Sequence, residues 1–275
     1  MNNAELSPPE PRLAAPLISF ARMQAAQAGQ MALTWFRQTL DIDLKSDSSP
    51  VTEADRAVEL WLRQSLADLY PDHGVMGEEF ANERLDAEYL WVVDPIDGTR
   101  SFITGWPIWG TLLALLHQGE PCLGIIEMPA LEETWLGIKG QGTFFSDRHS
   151  QDKPCKVSAC RHLSEACFYT TSLYYFSEAD REAVERVIAN VAVPRFGGDC
   201  YGYGLLASGF VDLVIESQLQ PFDFLSLIPI IEEAGGIITD WQGSTLTSAS
   251  KGRVIAAATP ELHQQAMQYL NQYCD

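Results

Sequence analysis

The residues best placed to do chemistry are Asp94-Pro95-Ile96-Asp97-Gly98-Thr99. They follow directly on the apolar run Tyr89–Val93, which puts both acids at the end of a buried strand. Pro95 fixes φ and Gly98 permits a tight turn. Such a turn can aim two carboxylates and a freed backbone carbonyl at one point. Hard divalent cations take oxygen ligands of this kind. The plain alternative is an Asx-type turn that holds no ligand.

Further acids flank that segment in the sequence. Gly77-Glu78-Glu79 lies upstream after a loop, Thr52-Glu53-Ala54-Asp55 lies further upstream, and Asp223 lies downstream within Pro221-Phe222-Asp223-Phe224-Leu225. Any one of them could be a surface charge or a helix cap. An acid between Phe222 and Phe224 is harder to dismiss, because an unpaired buried charge is costly.

The elements that must position these residues read as follows. A helix is predicted over Leu13–Leu40, then a polar loop over Lys45–Pro50. Thr52 opens a second helix, with Glu53 and Asp55 in its first turn where acids suit the helix dipole. Val58, Trp61, Leu62, Leu66 and Leu69 continue it at helical spacing, and Pro71 stops it. Strands are predicted at Tyr89–Val93, Gly110–His117, Leu123–Glu127 and Thr134–Ile138, the last two as a hairpin. The polar, glycine-bearing stretch Lys139–Ser158 reads as the subdomain boundary, giving an N-terminal α+β unit over 12–146 and a C-terminal α/β unit over 147–275. In the second, helices are expected at Ala179–Ala189, Tyr201–Ser208 and Phe224–Ala234. Strands are expected at Val211–Glu216, Gly236–Asp240 and Arg253–Ala258. Alternation of helices and strands points to an α/β layer.

Composition sets the outer limits. The 275 residues carry 18 basic and 37 acidic side chains, a net charge of −19, and are 46% hydrophobic. That much apolar surface excludes a disordered chain. The acidic balance argues against duplex binding, which needs clustered Lys and Arg, and favours cationic partners, unless the charge serves solubility alone. The six cysteines (Cys122, Cys155, Cys160, Cys167, Cys200 and Cys274) form no C-x-x-C pair. Met1–Pro11 has the pattern of a frayed tail without a basic or apolar leader, and no apolar run reaches membrane-spanning length. A cytoplasmic protein with reduced thiols is expected.

Taken in order, Gly77-Glu78-Glu79, Asp94–Thr99 and Asp223 with the following Ala234-Gly235-Gly236 resemble the anchoring motifs of the inositol monophosphatase family. The resemblance runs from Leu13 to Tyr269. It implies a layered αβαβα fold, α+β to α/β in class, two subdomains meeting at the site, and a homodimer; no nucleic-acid or membrane partner is expected from the charge and the apolar runs. It implies that Glu78, Asp94 and the carbonyl of Ile96 hold one metal and that Asp94, Asp97 and Asp223 hold a second. A third, weaker metal is implied near Glu78. Thr99 and Glu78 would position and deprotonate the attacking water, and Asp55 would hydrogen-bond Thr99. Phosphate would rest on amides near Gly98 and Thr99. Two metals about 3.5–4 Å apart can activate the water, neutralise charge and stabilise the leaving group. The all-oxygen ligand set favours Mg²⁺ over zinc, two or three ions per site. Binding of Mg²⁺ is then expected to raise the melting temperature.

The substrate must be read from other residues. In inositol-specific members the position of Asp199 is typically small and apolar, and Glu216 matches a residue that contacts the alcohol. Two carboxylates there suit an amine-bearing alcohol. Gly98–Gly105, Gly198–Ala207 and Gln220–Leu225 are similar to the histidinol-phosphate phosphatases of this superfamily. The resemblance therefore implies L-histidinol phosphate as the phosphate monoester, with Asp97, Asp199, Glu216 and Asp223 as substrate contacts. Asp199 could instead be a helix N-cap ahead of Tyr201. Arg100 could contact phosphate or a neighbouring subunit. Inositol-1-phosphate or a range of sugar-alcohol phosphates are the nearest rivals. A bisphosphate substrate is disfavoured by the lack of a basic pocket, and a non-catalytic metal-binding homologue by the intact acids. Gly202-Tyr203-Gly204-Leu205-Leu206-Ala207 matches a dinucleotide-binding pattern, but the preceding Gly197–Tyr201 is not an apolar strand. Trp106 and Trp109 read as core or subunit interface.

Overall fold

The computed structural model describes residues 13–39, 42–44 and 50–271. Lys45–Ser49, Met1–Pro11 and Cys274, on which some sequence expectations fall, lie outside the described residues. Helices α1 (Ala15–Leu33) and α2 (Glu53–Leu69) flank a small antiparallel pair, β1 (Ile42–Leu44) and β2 (Pro50–Thr52). Thr52 caps α2, and its N–H and hydroxyl both donate to the Asp55 carboxylate in a capping box. The first sheet follows: β3 (Gly74–Gly77), β4 (Tyr89–Asp97), β5 (Gly110–His117), β6 (Glu120–Met128), β7 (Glu133–Ile138), β8 (Gly142–Ser146) and β9 (Lys153–Pro154), with the short helix α3 (Thr99–Ile103) between β4 and β5. Its strand order is sequential, parallel between β3 and β4 and antiparallel elsewhere.

The second half supplies β10 (Cys167–Thr170), α4 (Glu178–Ile188), β11 (Val193–Phe196), α5 (Tyr201–Ala207), β12 (Leu213–Glu216), α6 (Pro221–Phe224), α7 (Leu227–Glu233), β13 (Ile237–Asp240), β14 (Val254–Ala257) and α8 (Pro260–Leu270). Its five strands are ordered β11-β10-β12-β14-β13.

Alternating side chains build three cores and hence five layers. From β4, Trp91 and Val93 face α1 and α2, while Leu90 and Val92 join Tyr203 of α5 and Ile230 of α7. From β12, Val214 packs into that same middle core, while Leu213 and Ile215 face α4 and α8. Sheets covered on both faces read as unbroken apolar runs, as β4 and β5 do. The layering is the expected αβαβα arrangement.

Several elements differ from the sequence reading. The first helix ends at Leu33, not Leu40. Thr34 Oγ1 donates to the Met31 carbonyl at 2.8 Å, and the chain turns through Arg37 at φ 60°. The stretch 139–158 holds two strands that the sequence reading left out. Gly140 and Gly142, both at positive φ, turn β7 into β8, and the first sheet runs past residue 146 to β9. The helix expected over Phe224–Ala234 is two, because Pro229 lacks an N–H and fits only the first turn of α7. The strand β11 does precede Gly197, yet Gly202–Ala207 lies inside α5 rather than in a turn. Trp109 is core, whereas Trp106 is 47% exposed. Among the described residues no helix is long and apolar enough to cross a membrane.

Candidate metal centre and substrate cleft

A bulge in β4 brings the two central acids onto one face. Opposite β5, Asp94 pairs with Leu112 and Asp97 with Gly110, so three steps on β4 match two on β5. Strict alternation would send residues three apart to opposite faces. The extra residue restores them to the same face. Pro95 makes the bulge tolerable: it has no N–H to leave unpaired, and its carbonyl accepts from Thr111 Oγ1 at 2.8 Å. Gly98 follows at φ 84°, and α3 begins.

Each acid spends one oxygen on a backbone amide. Asp94 Oδ1 accepts from the Ile96 N–H at 3.0 Å, Asp97 Oδ2 from the Cys200 N–H at 2.7 Å, and Asp223 Oδ2 from the Gln220 N–H at 2.6 Å. Asp94, Asp97 and Asp223 each offer one ligand oxygen, and these atoms lie within 4.8 Å of one another. Glu78, at the end of β3, hydrogen-bonds Asp94. Burial, and then repulsion from Glu78, Asp97 and Asp223, hold the Asp94 carboxyl well above its ordinary range. Asp223 is raised likewise by burial and by Asp97. Asp97 is raised by burial against the opposing hydrogen bonds from Cys200.

The donor set fits a hard cation. Asp94, Asp97 and Asp223 have no salt-bridge partner among the described residues, so their mutual repulsion is left uncompensated. The three clustered ligand atoms are all carboxylate oxygens, and the neighbouring Cys200 thiol, which hydrogen-bonds Asp97 and approaches Met128 Sδ at 3.7 Å, is held protonated by burial.

Asp55 stands apart from the expectation. Its Oδ2 accepts from Thr52 N at 2.8 Å and Thr52 Oγ1 at 2.6 Å, and Thr99 Oγ1 instead donates to the Ile96 carbonyl at 3.2 Å. The capping turn sits within reach of the Asp55 carboxylate and claims it. Asp55 Oδ1 is buried without a partner, and burial pushes the carboxyl up to about 6.

The acids open onto a cleft of about 430 Å³. Asp199 and Glu216 line it, with Arg100, Thr171, Tyr175 and Tyr203. Asp199 is not a helix cap: it sits at φ 44°, Cys200 occupies the N-cap position, and its Oδ2 accepts from Ser101 Oγ at 2.8 Å. Burial and the nearby Asp97 push it up to about 7. Glu216 is buried, accepting from Thr171 N at 2.6 Å and Thr170 Oγ1 at 3.2 Å, and burial pushes it up to about 8. The Arg100 guanidinium lies 5.5 Å over the Tyr175 ring. Sequence reasoning did not single out Thr171, Tyr175 or Tyr203. The first two follow β10, Thr171 directly and Tyr175 at the end of a 3-10 turn, and carry no local pattern. Tyr203 lay inside the decoy glycine motif.

A profile of the inositol monophosphatase family matches residues 13–274. The chain is 46% identical over 255 residues to the chloroplastic bifunctional phosphatase IMPL2 of Arabidopsis thaliana, covering 90% of this chain and 72% of that one. It is 36% identical over 243 residues to a histidinol-phosphatase of Chlorobaculum parvum, covering 88% and 92%. Among solved structures, an inositol monophosphatase from Zymomonas mobilis superimposes with a TM-score of 0.85 at 40% identity, covering 94% of this chain and all of the other.

Proposed function

The chain belongs to the inositol monophosphatase family, and from that premise we propose that it hydrolyses L-histidinol phosphate to L-histidinol and phosphate. Members of the family are metal-dependent phosphate monoester hydrolases. In this reading Glu78, Asp94, the Ile96 carbonyl, Asp97 and Asp223 hold two or three Mg²⁺ ions. Such ions, when bound, neutralise phosphate charge and ease the formation of an attacking hydroxide. Glu78 takes up the proton of the attacking water, and the Thr99 hydroxyl orients that water. The amides near Gly98 and Thr99 meet the phosphate, and Arg100 screens its charge at the rim.

The observation that carries the substrate is the pair Asp199 and Glu216. Both are carboxylates in the cleft, beyond the acids a metal needs. Unliganded, burial holds them at about 7 and about 8. A cation beside them favours their ionised forms, and those forms in turn bind the cation. An alcohol with an ammonium group and a titrating imidazole supplies that charge. A neutral polyol supplies only hydroxyls. The relative named as a histidinol-phosphatase supports this choice. The 40% identity to the Zymomonas inositol monophosphatase favours inositol phosphate as the second reading.

The deciding assay is phosphate release at about 5 mM Mg²⁺, enough to load hard-oxygen sites, with L-histidinol phosphate beside inositol-1-phosphate. The expected preference is about 100-fold in kcat/KM, worth about 2.7 kcal/mol. Asp199→Asn is expected to shrink it mainly through the histidinol phosphate arm. Equal or reversed rates would sink the substrate assignment and leave the metal chemistry standing.

A further inference from the structure

On α2, one turn beyond Asp55, Glu59 is fully buried, and Arg63, four residues further on, is 8% exposed. Neither touches the cleft. Arg63 Nε donates to Glu59 Oε1 at 2.8 Å. The remaining bonds go to the segment that follows β3. The Glu79 N–H donates to Glu59 Oε2 at 2.7 Å, and the Phe80 N–H to Glu59 Oε1 at 3.3 Å. Arg63 Nη2 donates to the Phe80 carbonyl at 3.2 Å, and Nη1 to Glu83 Oε1 at 3.2 Å. The pair also seats the end of β3: a Cβ on Gly77 would lie 2.0 Å from Glu59 Oε1 and 2.9 Å from Arg63 Nη2.

We propose that the buried Glu59–Arg63 pair is a positioning device that fixes the backbone on both sides of Glu78 and so holds its carboxylate against Asp94. This rests on the reading of Glu78 as a metal ligand. A buried ion pair contributes little net stability compared with apolar side chains of the same volume. What apolar side chains cannot do is accept two successive amide protons and grip the next carbonyl. Direction, rather than cohesion, is what this pair supplies. Groups that orient a metal ligand from behind commonly change metal affinity when removed.

The test is a Mg²⁺ titration of the melting temperature without substrate, on the parent, Glu59→Gln, Arg63→Lys and Glu78→Gln. Glu59→Gln puts an amide donor where two N–H groups and Arg63 need acceptors. Its Mg²⁺ midpoint is expected to rise about 10-fold or more. Arg63→Lys keeps both charges, loses the fork onto the Phe80 carbonyl, and is expected to fold and shift the midpoint the same way by less. A merely structural pair would lower the melting temperature and leave the midpoint at the parent's value. That result in both variants, beside a shifted Glu78→Gln, overturns the proposal alone. An unshifted Glu78→Gln overturns the ligand reading and the proposal with it.

Discussion

Asp94→Asn is expected to cut turnover by about 10³-fold or more while raising the melting temperature of the metal-free protein. The side chain is 2% exposed, and its charge is opposed by burial and by three neighbouring acids. Asparagine keeps the shape and keeps an acceptor for the Ile96 N–H, so the bulge survives. What goes is one negative charge from a cluster that repels itself. The same charge is what a divalent cation would bind. Its transition-state stabilisation is worth several kcal/mol, hence the three decades at about 1.4 kcal/mol each. Phosphate release and melting curves, each with Mg²⁺ and with EDTA, check both halves. The parent should gain stability from Mg²⁺ and the variant much less. A variant that keeps near-parental turnover removes Asp94 from the chemistry.

The second large effect is on the pH dependence of the metal-free fold. Asp55, Asp199 and Glu216 have folded-state values of about 6, about 7 and about 8, against 3.8, 3.8 and 4.5 ordinarily, and Asp94, Asp97 and Asp223 are raised as well. Between the ordinary and raised values the folded state binds more protons than the unfolded one. Stability therefore falls as pH rises through that window. The buried His263, held down at about 4 from 6.5, acts in the opposite sense. Its effect fades as pH rises past 6.5, where the unfolded-state imidazole loses its proton, so the fall steepens from there to about 8. The summed loss is several kcal/mol, at about 1.4 kcal/mol for each decade of proton affinity. With saturating Mg²⁺ the slope should flatten, because the ion replaces protons among the cluster acids. Melting curves from pH 6.5 to 8 in EDTA and in Mg²⁺ test this. A flat or rising EDTA series would show that the acids are not held together as described.

The acids of the site were legible because their types and turn residues are local. Pro95 and Gly98 mark a turn after an apolar strand, and Thr52 with Asp55 marks a helix start. The middles of β4 to β7 and of β12 to β14 were legible for the same reason, whereas β3, β8 and β10 were not. What escaped depends on partners far away in sequence. The bulge that unites Asp94 and Asp97 is visible only as register against Leu112 and Gly110. The strand β11 is exposed along its whole length and contains Pro194, so it lacks the apolar signature of its neighbours. From sequence Asp199 reads as a substrate contact or a helix cap, and only its backbone at φ 44°, with Cys200 at the N-cap, removes the cap. Glu59 and Arg63 look in sequence like an ordinary i, i+4 pair on a solvated helix face. Nothing local says that this face is buried under the segment carrying Glu78.

The hydrogen bond from the Cys200 amide to Asp97 spans 103 residues of chain, and that span carries a kinetic consequence. Such contacts form late, after the loop they close has been ordered. A partly folded chain with only the first sheet in place thus has Glu78, Asp94 and Asp97 but lacks Asp223. The complete cluster and its full repulsion are met only as the two sheets dock. A divalent cation then acts chiefly on the native side of the barrier, prolonging the lifetime of the folded state without hastening its formation.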